Sequence, residues 1–229
     1  MRTDTPMAER PVLIVVAGGA GRRFGGDKLL AELGGRPLLI YSLERLAPAA
    51  KRTVLVVPAG REDGIRQLIG KFLPGPELRI VAGGATRAES VRNGLLAAAP
   101  AADELVAVHD AARPLATREL LASLCRRARE VGGAVPGSPQ ADAQKRVDSD
   151  GVVTADLARE NVWNVGTPQV FTGELIRRAY FDHDATGCLD DAEAVRRAGG
   201  QVAVVRAAAP NPKLTVPGDL RIIEALTRE

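Results

Sequence analysis

Uninterrupted apolar runs, separated by segments of helical period, constrain this chain more than any other feature. VLIVV (Val12–Val16), TVLVVP (Thr53–Pro58), LRIVAG (Leu78–Gly83) and ELVAVHD (Glu104–Asp110) are continuous runs and do not alternate with polar residues. A strand of that composition is expected to be buried on both faces. Helical segments lie between and after them, from Pro37 through Ala47, around Asp63–Phe72, through Ala85–Ala99 and through Thr117–Glu130. Strand–helix alternation with short loops predicts a parallel, doubly wound α/β sheet.

The rhythm breaks after GGAVPGS. Residues Pro139–Gly166 have no helical period and little apolar content, and Asp148–Gly151 reads as a turn between two short strands. This is the expectation of a protruding hairpin or arm, since a long loop in a compact domain is usually functional or an interaction element. The pattern resumes with TPQVF and a helix after it. A helix through Asp190–Gly199, the strand QVAVVRA and a final helix from Pro217 follow. Met1–Arg10 reads as a disordered lead-in, and residues 11–229 as a single domain carrying the arm at 139–166.

Charge and composition narrow the class. The net charge is +3 with no block of like charges, and aromatics make up only 3%, which argues against nucleic acid as a partner. Cys125 and Cys188 stand far apart, in neither a disulfide framework nor a metal-binding spacing. No apolar run is long enough to span a bilayer, and MRTDTPMAERP lacks the apolar segment of a secretory signal. The expectation is a cytoplasmic protein that handles small anionic molecules.

The anion-binding candidate is AGGAGRRFGGDK, Ala17–Lys28, directly after the first strand. Its glycines let backbone N–H groups approach a ligand, and its cations suit phosphate. It is neither a dinucleotide fingerprint nor a Walker loop: the next helix starts only near Pro37, no acid follows the second strand, and no GK[ST] occurs. Ala17, Gly18 and Gly19 would line the ligand. Arg23 and Lys28 would offset charge on a phosphate under attack. VHDAARP places Asp110 at a strand end, where it could accept from a ribose hydroxyl or face a metal, with Arg113 three residues on. His109 reads as a packed strand histidine. GGATRAESV contributes Gly84 and Ser90 at another strand end, and Arg87 there reads equally well as a solvent-exposed residue. Thr167 re-enters the domain from the arm, Lys213 sits between prolines, and Arg159 lies in the arm. Asp190 and Asp191 read as acids favouring a helix dipole.

Together AGGAGRRFGGDK, GGATRAESV, VHDAARP, TPQVF and KLTVPGDL resemble, in order and spacing, the 2-C-methyl-D-erythritol 4-phosphate cytidylyltransferases of the non-mevalonate isoprenoid pathway. The resemblance runs from Val12 to Leu226. It implies a Rossmann-like nucleotidyltransferase sheet with an arm that crosses to a second subunit, hence a homodimer. It implies transfer of CMP from CTP to the polyol phosphate with release of pyrophosphate, and Mg²⁺ as the cofactor that offsets the triphosphate. Arg23 and Lys28 would stabilise the transition state, and Arg159 and Lys213 would hold the incoming phosphate. Ala17, Gly18 and Gly19 would line the nucleotide, with Gly84 and Ser90 near the cytosine and Asp110 at the ribose. Arg113 and Thr167 would lie on the second-substrate side, and Arg159 could serve the partner's site.

Some positions depart from the family pattern. Ala17-Gly18-Gly19 stands for Ala-Ala-Gly, Asp27-Lys28-Leu29 for Pro-Lys-Gln, Ala143 for a threonine and Ala85 for an aspartate. Two alternatives follow: a ribitol 5-phosphate cytidylyltransferase, and a molybdenum-cofactor nucleotidyltransferase, which GRRFGGDKLLAELGGRPLL resembles. A non-catalytic nucleotide-binding domain is a third, and it would have no need of all four cations.

Overall fold

The computed structural model describes residues 9–17, 30–73 and 78–227. The expected strands and helices form in the expected order, joined by strands that the sequence did not announce. In chain order the elements are β1 (Val12–Val16), the two-residue strands β2 (Glu32–Leu33) and β3 (Arg36–Pro37), α1 (Leu38–Leu46), β4 (Arg52–Val57), α2 (Glu62–Phe72), β5 (Leu78–Ala82), α3 (Arg87–Ala98), β6 (Leu105–Asp110) and α4 (Arg118–Val131). Next come β7 (Gly133–Pro139), β8 (Gln144–Val147), β9 (Val153–Leu157), β10 (Trp163–Val165), β11 (Gln169–Thr172), α5 (Gly173–Arg177), α6 (Asp191–Arg197), β12 (Ala203–Arg206) and α7 (Gly218–Thr227).

Among the described residues eight strands make the central sheet, in the order β10-β7-β11-β6-β1-β4-β5 with β12 also on β7. The pairs β1·β4, β1·β6, β4·β5 and β7·β12 are parallel. β11 runs antiparallel between β6 and β7, and β10 is antiparallel to β7, so the sheet is mostly and not wholly parallel. This reversal has a consequence for the site. The N-terminal end of β11, preceded by Thr167, lies at the same edge as the C-terminal ends of β1, β4, β5 and β6.

Why the runs are continuous is plain from the packing. Leu13 and Val15 face one core with Leu39, Leu43, Ile65, Leu121 and Leu124, which brings α1, α2 and α4 to that side. Val12, Ile14 and Val16 face the other with Val91, Leu95, Ile176 and Val195, which brings α3, α5 and α6 to the opposite side. Successive side chains point to opposite faces, so a strand covered on both needs an apolar residue at every position. A smaller third cluster joins Leu33, Leu38, Ala112, Leu115, Leu214 and Ile223. It anchors the C-terminal segment beside the end of β6.

The boundaries need two corrections. The lead-in is shorter than residues 1–10, because Glu9 pairs with Arg129 and Arg10 donates to the Pro48 carbonyl; residues 1–8 lie outside the described residues. The arm is shorter than 139–166. Pro139 belongs to β7, and Trp163, Asn164 and Val165 pair with Pro139, Ser138 and Gly137 in the main sheet. Only residues between them project, as the β8–β9 hairpin. Its turn falls where expected: Asp148 accepts from the Asp150 and Val152 N–H groups, and Gly151 has φ +82°.

Gly94 sets how closely α3 approaches the sheet. A Cβ there would stand 2.6 Å from Ile14 Cγ2 and 3.0 Å from Val56 Cγ2. Alanine favours helix over glycine by about 1 kcal/mol, but overpacking a core costs about 1–3 kcal/mol. Gly94→Ala is therefore expected to lower stability by about 1 kcal/mol. Urea denaturation reads this directly, and a raised midpoint would contradict it.

Candidate active site

The site is built at the sheet edge where β1, β5 and β6 end and β11 begins. Ala17, the last described residue of the first loop, is buried and donates its N–H to the Val56 carbonyl. Gly18, Gly19, Arg23 and Lys28 lie outside the described residues.

After β5 the chain turns through Gly83 and Gly84 into α3. Thr86 and Glu89 form a reciprocal capping box, and Glu89 Oε2 also accepts from the Ala85 N–H at 2.6 Å. A Cβ on Gly84 would lie 2.3 Å from the Glu89 Cβ, so only glycine lets the loop fold over its own cap. Ser90 is buried; its hydroxyl donates to the Thr86 carbonyl and accepts from the Gly84 N–H. Ser90 thus shapes the loop from within, and its hydroxyl is engaged there.

The capping box starts α3 at Arg87, and Arg87 is not the solvent-exposed residue that the sequence allowed. Its Nε donates to Asp110 Oδ1 at 3.1 Å, and its Nη1 and Nη2 donate to the two oxygens of Asp191 at 3.0 and 2.7 Å. Tyr180 donates its hydroxyl to the same Asp191 at 2.6 Å. Asp191 is fully buried. The acid pair therefore splits its tasks: Asp190 caps α6 by accepting from the Glu193 N–H, and Asp191 turns inward. Successive helix residues point about 100° apart, so a capping first acid leaves the second facing elsewhere.

Asp110 is the junction. Lys213 Nζ donates to its Oδ2 at 2.6 Å, opposite Arg87 on Oδ1. Burial alone would push the Asp110 pKa up; the Arg87 and Lys213 charges outweigh it and hold this carboxyl well below its ordinary range. Each of its oxygens thus faces a cation.

Lys213 is placed by its neighbours. Leu214 is buried and donates its N–H to the Ala112 carbonyl. Asn211, which the sequence did not single out, ties three segments together. Its side chain donates to the Thr167 carbonyl and accepts from the Leu115 N–H, and its own carbonyl accepts from Arg113 Nη1 at 2.8 Å. Arg113 Nε is buried and has no hydrogen-bond partner among the described residues.

His109 is the packed strand histidine that was expected. Its Nε2 faces the Arg113 carbonyl at 3.1 Å, so Nε2 carries the proton. Nδ1 then accepts from the Thr167 hydroxyl at 3.1 Å, while that hydroxyl accepts from the Asp110 N–H at 3.0 Å. Thr167 thereby fixes the peptide of Asp110. Arg87, Asp110, Arg113, Thr167 and Lys213 all line one cleft of about 630 Å³. Arg159 is not among them; it is exposed beyond the hairpin and donates to the Ala141 carbonyl.

A sequence model of the 2-C-methyl-D-erythritol 4-phosphate cytidylyltransferase family matches residues 12–229. The chain belongs to that family. A protein of that name from Symbiobacterium thermophilum is 39% identical over 225 residues, covering 96% of this chain and 94% of the relative. One from Cereibacter sphaeroides is 40% identical, covering 93% and 95%. The crystal structure of the cytidylyltransferase from Thermus thermophilus superposes with a TM-score of 0.78 at 32% identity, over 96% of this chain and 100% of that one. This chain is accordingly a cytidylyltransferase with the mixed α/β sheet of its family, and the ribitol 5-phosphate and molybdenum-cofactor alternatives are not favoured.

The neutral, enclosed His109 makes a testable demand. Burial pushes its pKa down to about 4 from 6.5. Between those values the unfolded chain binds the proton and the folded chain does not, so stability falls as pH drops from about 6.5 towards 4, by up to about 3 kcal/mol. Denaturant unfolding of wild type and His109→Gln between pH 7 and 4.5 checks this. The variant is expected to lack that part of the slope, and equal slopes would refute the assignment.

Proposed function

We propose that this enzyme transfers CMP from CTP to 2-C-methyl-D-erythritol 4-phosphate, giving 4-diphosphocytidyl-2-C-methyl-D-erythritol and pyrophosphate. The observation that carries the reading is the gathering of Arg113 and Lys213 around Asp110, at the edge from which the glycine loop leaves, in a chain of this family. A phosphate oxygen of the acceptor attacks the α-phosphorus of CTP. The new P–O bond forms as the bond to the β-phosphate oxygen breaks, and pyrophosphate leaves with the electron pair. A phosphate monoester is largely ionised at neutral pH, so no general base is required. Catalysis then consists of positioning and charge stabilisation. The engagement of both His109 nitrogens with protein groups accords with this.

In this reading Arg23 and Lys28 stabilise the charge that grows on the α-phosphate. Lys213 and Arg159 hold the acceptor phosphate, with Arg113 and Thr167 bordering it. Ala17, Gly18 and Gly19 line the nucleotide, the Gly84–Ser90 loop flanks the base, and Asp110 receives a ribose hydroxyl. Mg²⁺ is the proposed cofactor. Among the described residues no three acidic, histidine or cysteine side chains gather as ligands. In this reading the ion would be held by triphosphate oxygens and water. When bound, the ion offsets triphosphate charge.

We further propose a homodimer through the arm. Val147, Val152 and Val153 of the hairpin are each more than half exposed, and an isolated two-stranded hairpin is marginal in water. Arg159, away from its own chain's cleft, would serve the partner's. No helix among the described residues is long and apolar enough to cross a membrane. Because both substrates are charged and phosphorylated, the proposed location is the cytoplasm.

Pyrophosphate release with CTP, Mg²⁺ and each acceptor in turn tests the reading. Release is expected with 2-C-methyl-D-erythritol 4-phosphate; release only with ribitol 5-phosphate would overturn the acceptor. Lys28→Ala is expected to lower kcat by about two to three orders of magnitude, the scale of one lost transition-state donor. An unchanged kcat would remove Lys28 from that role. Arg159→Ala is expected chiefly to raise KM for the acceptor.

A further inference from the structure

Arg87 has the geometry of a setting device. Its two Nη groups are forked onto Asp191, which is itself fully buried and also bonded by Tyr180. A bidentate fork fixes the guanidinium plane, so Nε has one direction left, and it points at Asp110 Oδ1. The bracket draws on three parts of the fold: α3 supplies Arg87, α6 supplies Asp191, and the turn of helix after α5 supplies Tyr180. The other oxygen of Asp110 carries Lys213, whose side chain is 36% exposed and faces the cleft.

We propose that Arg87, held by Asp191, is a positioning residue that sets how tightly Asp110 grips Lys213, and so how readily Lys213 turns to the acceptor phosphate. The proposal rests on the reading that Lys213 receives that phosphate. A carboxylate shared between two cations holds each less strongly than it would hold one alone. An incoming phosphate competes with Asp110 for the Lys213 ammonium. With Arg87 in place that competition is eased; without it Asp110 holds Lys213 with its whole charge.

A purely mechanical role, in which the Arg87–Asp191 pair only clamps α3 to α6, predicts the opposite behaviour of Lys213. Loosening the clamp would free the lysine. Loss of charge sharing would tighten its bond.

Two variants and two readouts separate these. Arg87→Met removes the charge and keeps much of the length. Arg87→Lys keeps a charge but cannot fork between two carboxylates. The first readout needs no turnover: the rate at which an amine-reactive acetylating reagent modifies Lys213, followed by mass spectrometry at fixed pH. It is expected to fall several-fold in Arg87→Met and less in Arg87→Lys. The second is steady-state kinetics, in which Arg87→Met is expected to raise KM for 2-C-methyl-D-erythritol 4-phosphate about tenfold, the scale of one charge-assisted hydrogen bond, with a smaller change in kcat. Lys213 labelling that is unchanged or faster in folded Arg87→Met overturns the proposal. Should Arg87→Met fail to fold, Arg87→Lys decides by the same sign. A wild type inactive on the acceptor would sink the functional reading alone, while the labelling rates would still judge the Asp110–Lys213 coupling.

Discussion

A buried carboxylate stays ionised only where cations or hydrogen-bond donors come to it, and Asp110, met by two cations, lies at the end of a strand that is buried along its whole length. Most of the site follows from that requirement. Arg87 must reach in from α3, Lys213 from the C-terminal segment, and each needs its own anchor. Arg87 is anchored by Asp191 and, behind it, Tyr180. Lys213 is anchored by Leu214 in the third core cluster and by the ties that Asn211 makes next to it. The peptide of Asp110 is held in turn by Thr167, and Thr167 by His109. Residues far apart in sequence converge because one negative charge has been placed where water is scarce.

The sheet makes the convergence possible. Four parallel strands bring their C-terminal ends to one edge, and the reversed strand β11 brings its beginning there as well. A wholly parallel sheet would have put the N-terminus of that strand, and Thr167 before it, at the far edge. The mixed sheet is thus part of the site and not an irregularity of the fold.

Much of this was legible in the sequence, for physical reasons that also explain what was not. The continuous strands β1, β4 and β6 and the helices that cover them announce themselves because two-sided burial allows no polar interruption. β7 does not, since Pro136, Gly137 and Pro139 sit within it. They are tolerated there because the strand is paired for only part of its length on each side, and Gly137 is needed where a Cβ would lie 2.7 Å from Val204. The β2–β3 hairpin hides for another reason: its strands have two residues each, around Gly34 and Gly35 at φ +56° and +76°. Within the site, Asp110, Arg113, Thr167 and Lys213 could be named from their motifs, but Arg87, Asp191, Tyr180 and Asn211 could not. These four act on other groups of the protein, and a contact spanning 104 residues, as between Arg87 and Asp191, leaves no local pattern.

The charges around Asp110 also bear on why such a site can wait for anions without collapsing around stray ones. Arg87 and Lys213 are cations facing the cleft, yet each already has a carboxylate within 3.1 Å. At rest the cluster is close to neutral internally, so in the proposed role it needs little reorganisation for a phosphate; the exchange required there is one partner of one lysine. Arg113 differs, because its Nε is buried without a partner among the described residues while its Nη1 is held by the Asn211 carbonyl. A group of that kind is oriented before any ligand binds, by the carbonyl that holds its Nη1. The two cations nearest the proposed acceptor position are therefore held differently, Lys213 by a carboxylate and Arg113 by a backbone carbonyl. In the proposed reading a doubly charged phosphate faces both cations, whereas a neutral polyol lacks the charge to compete with Asp110 for Lys213.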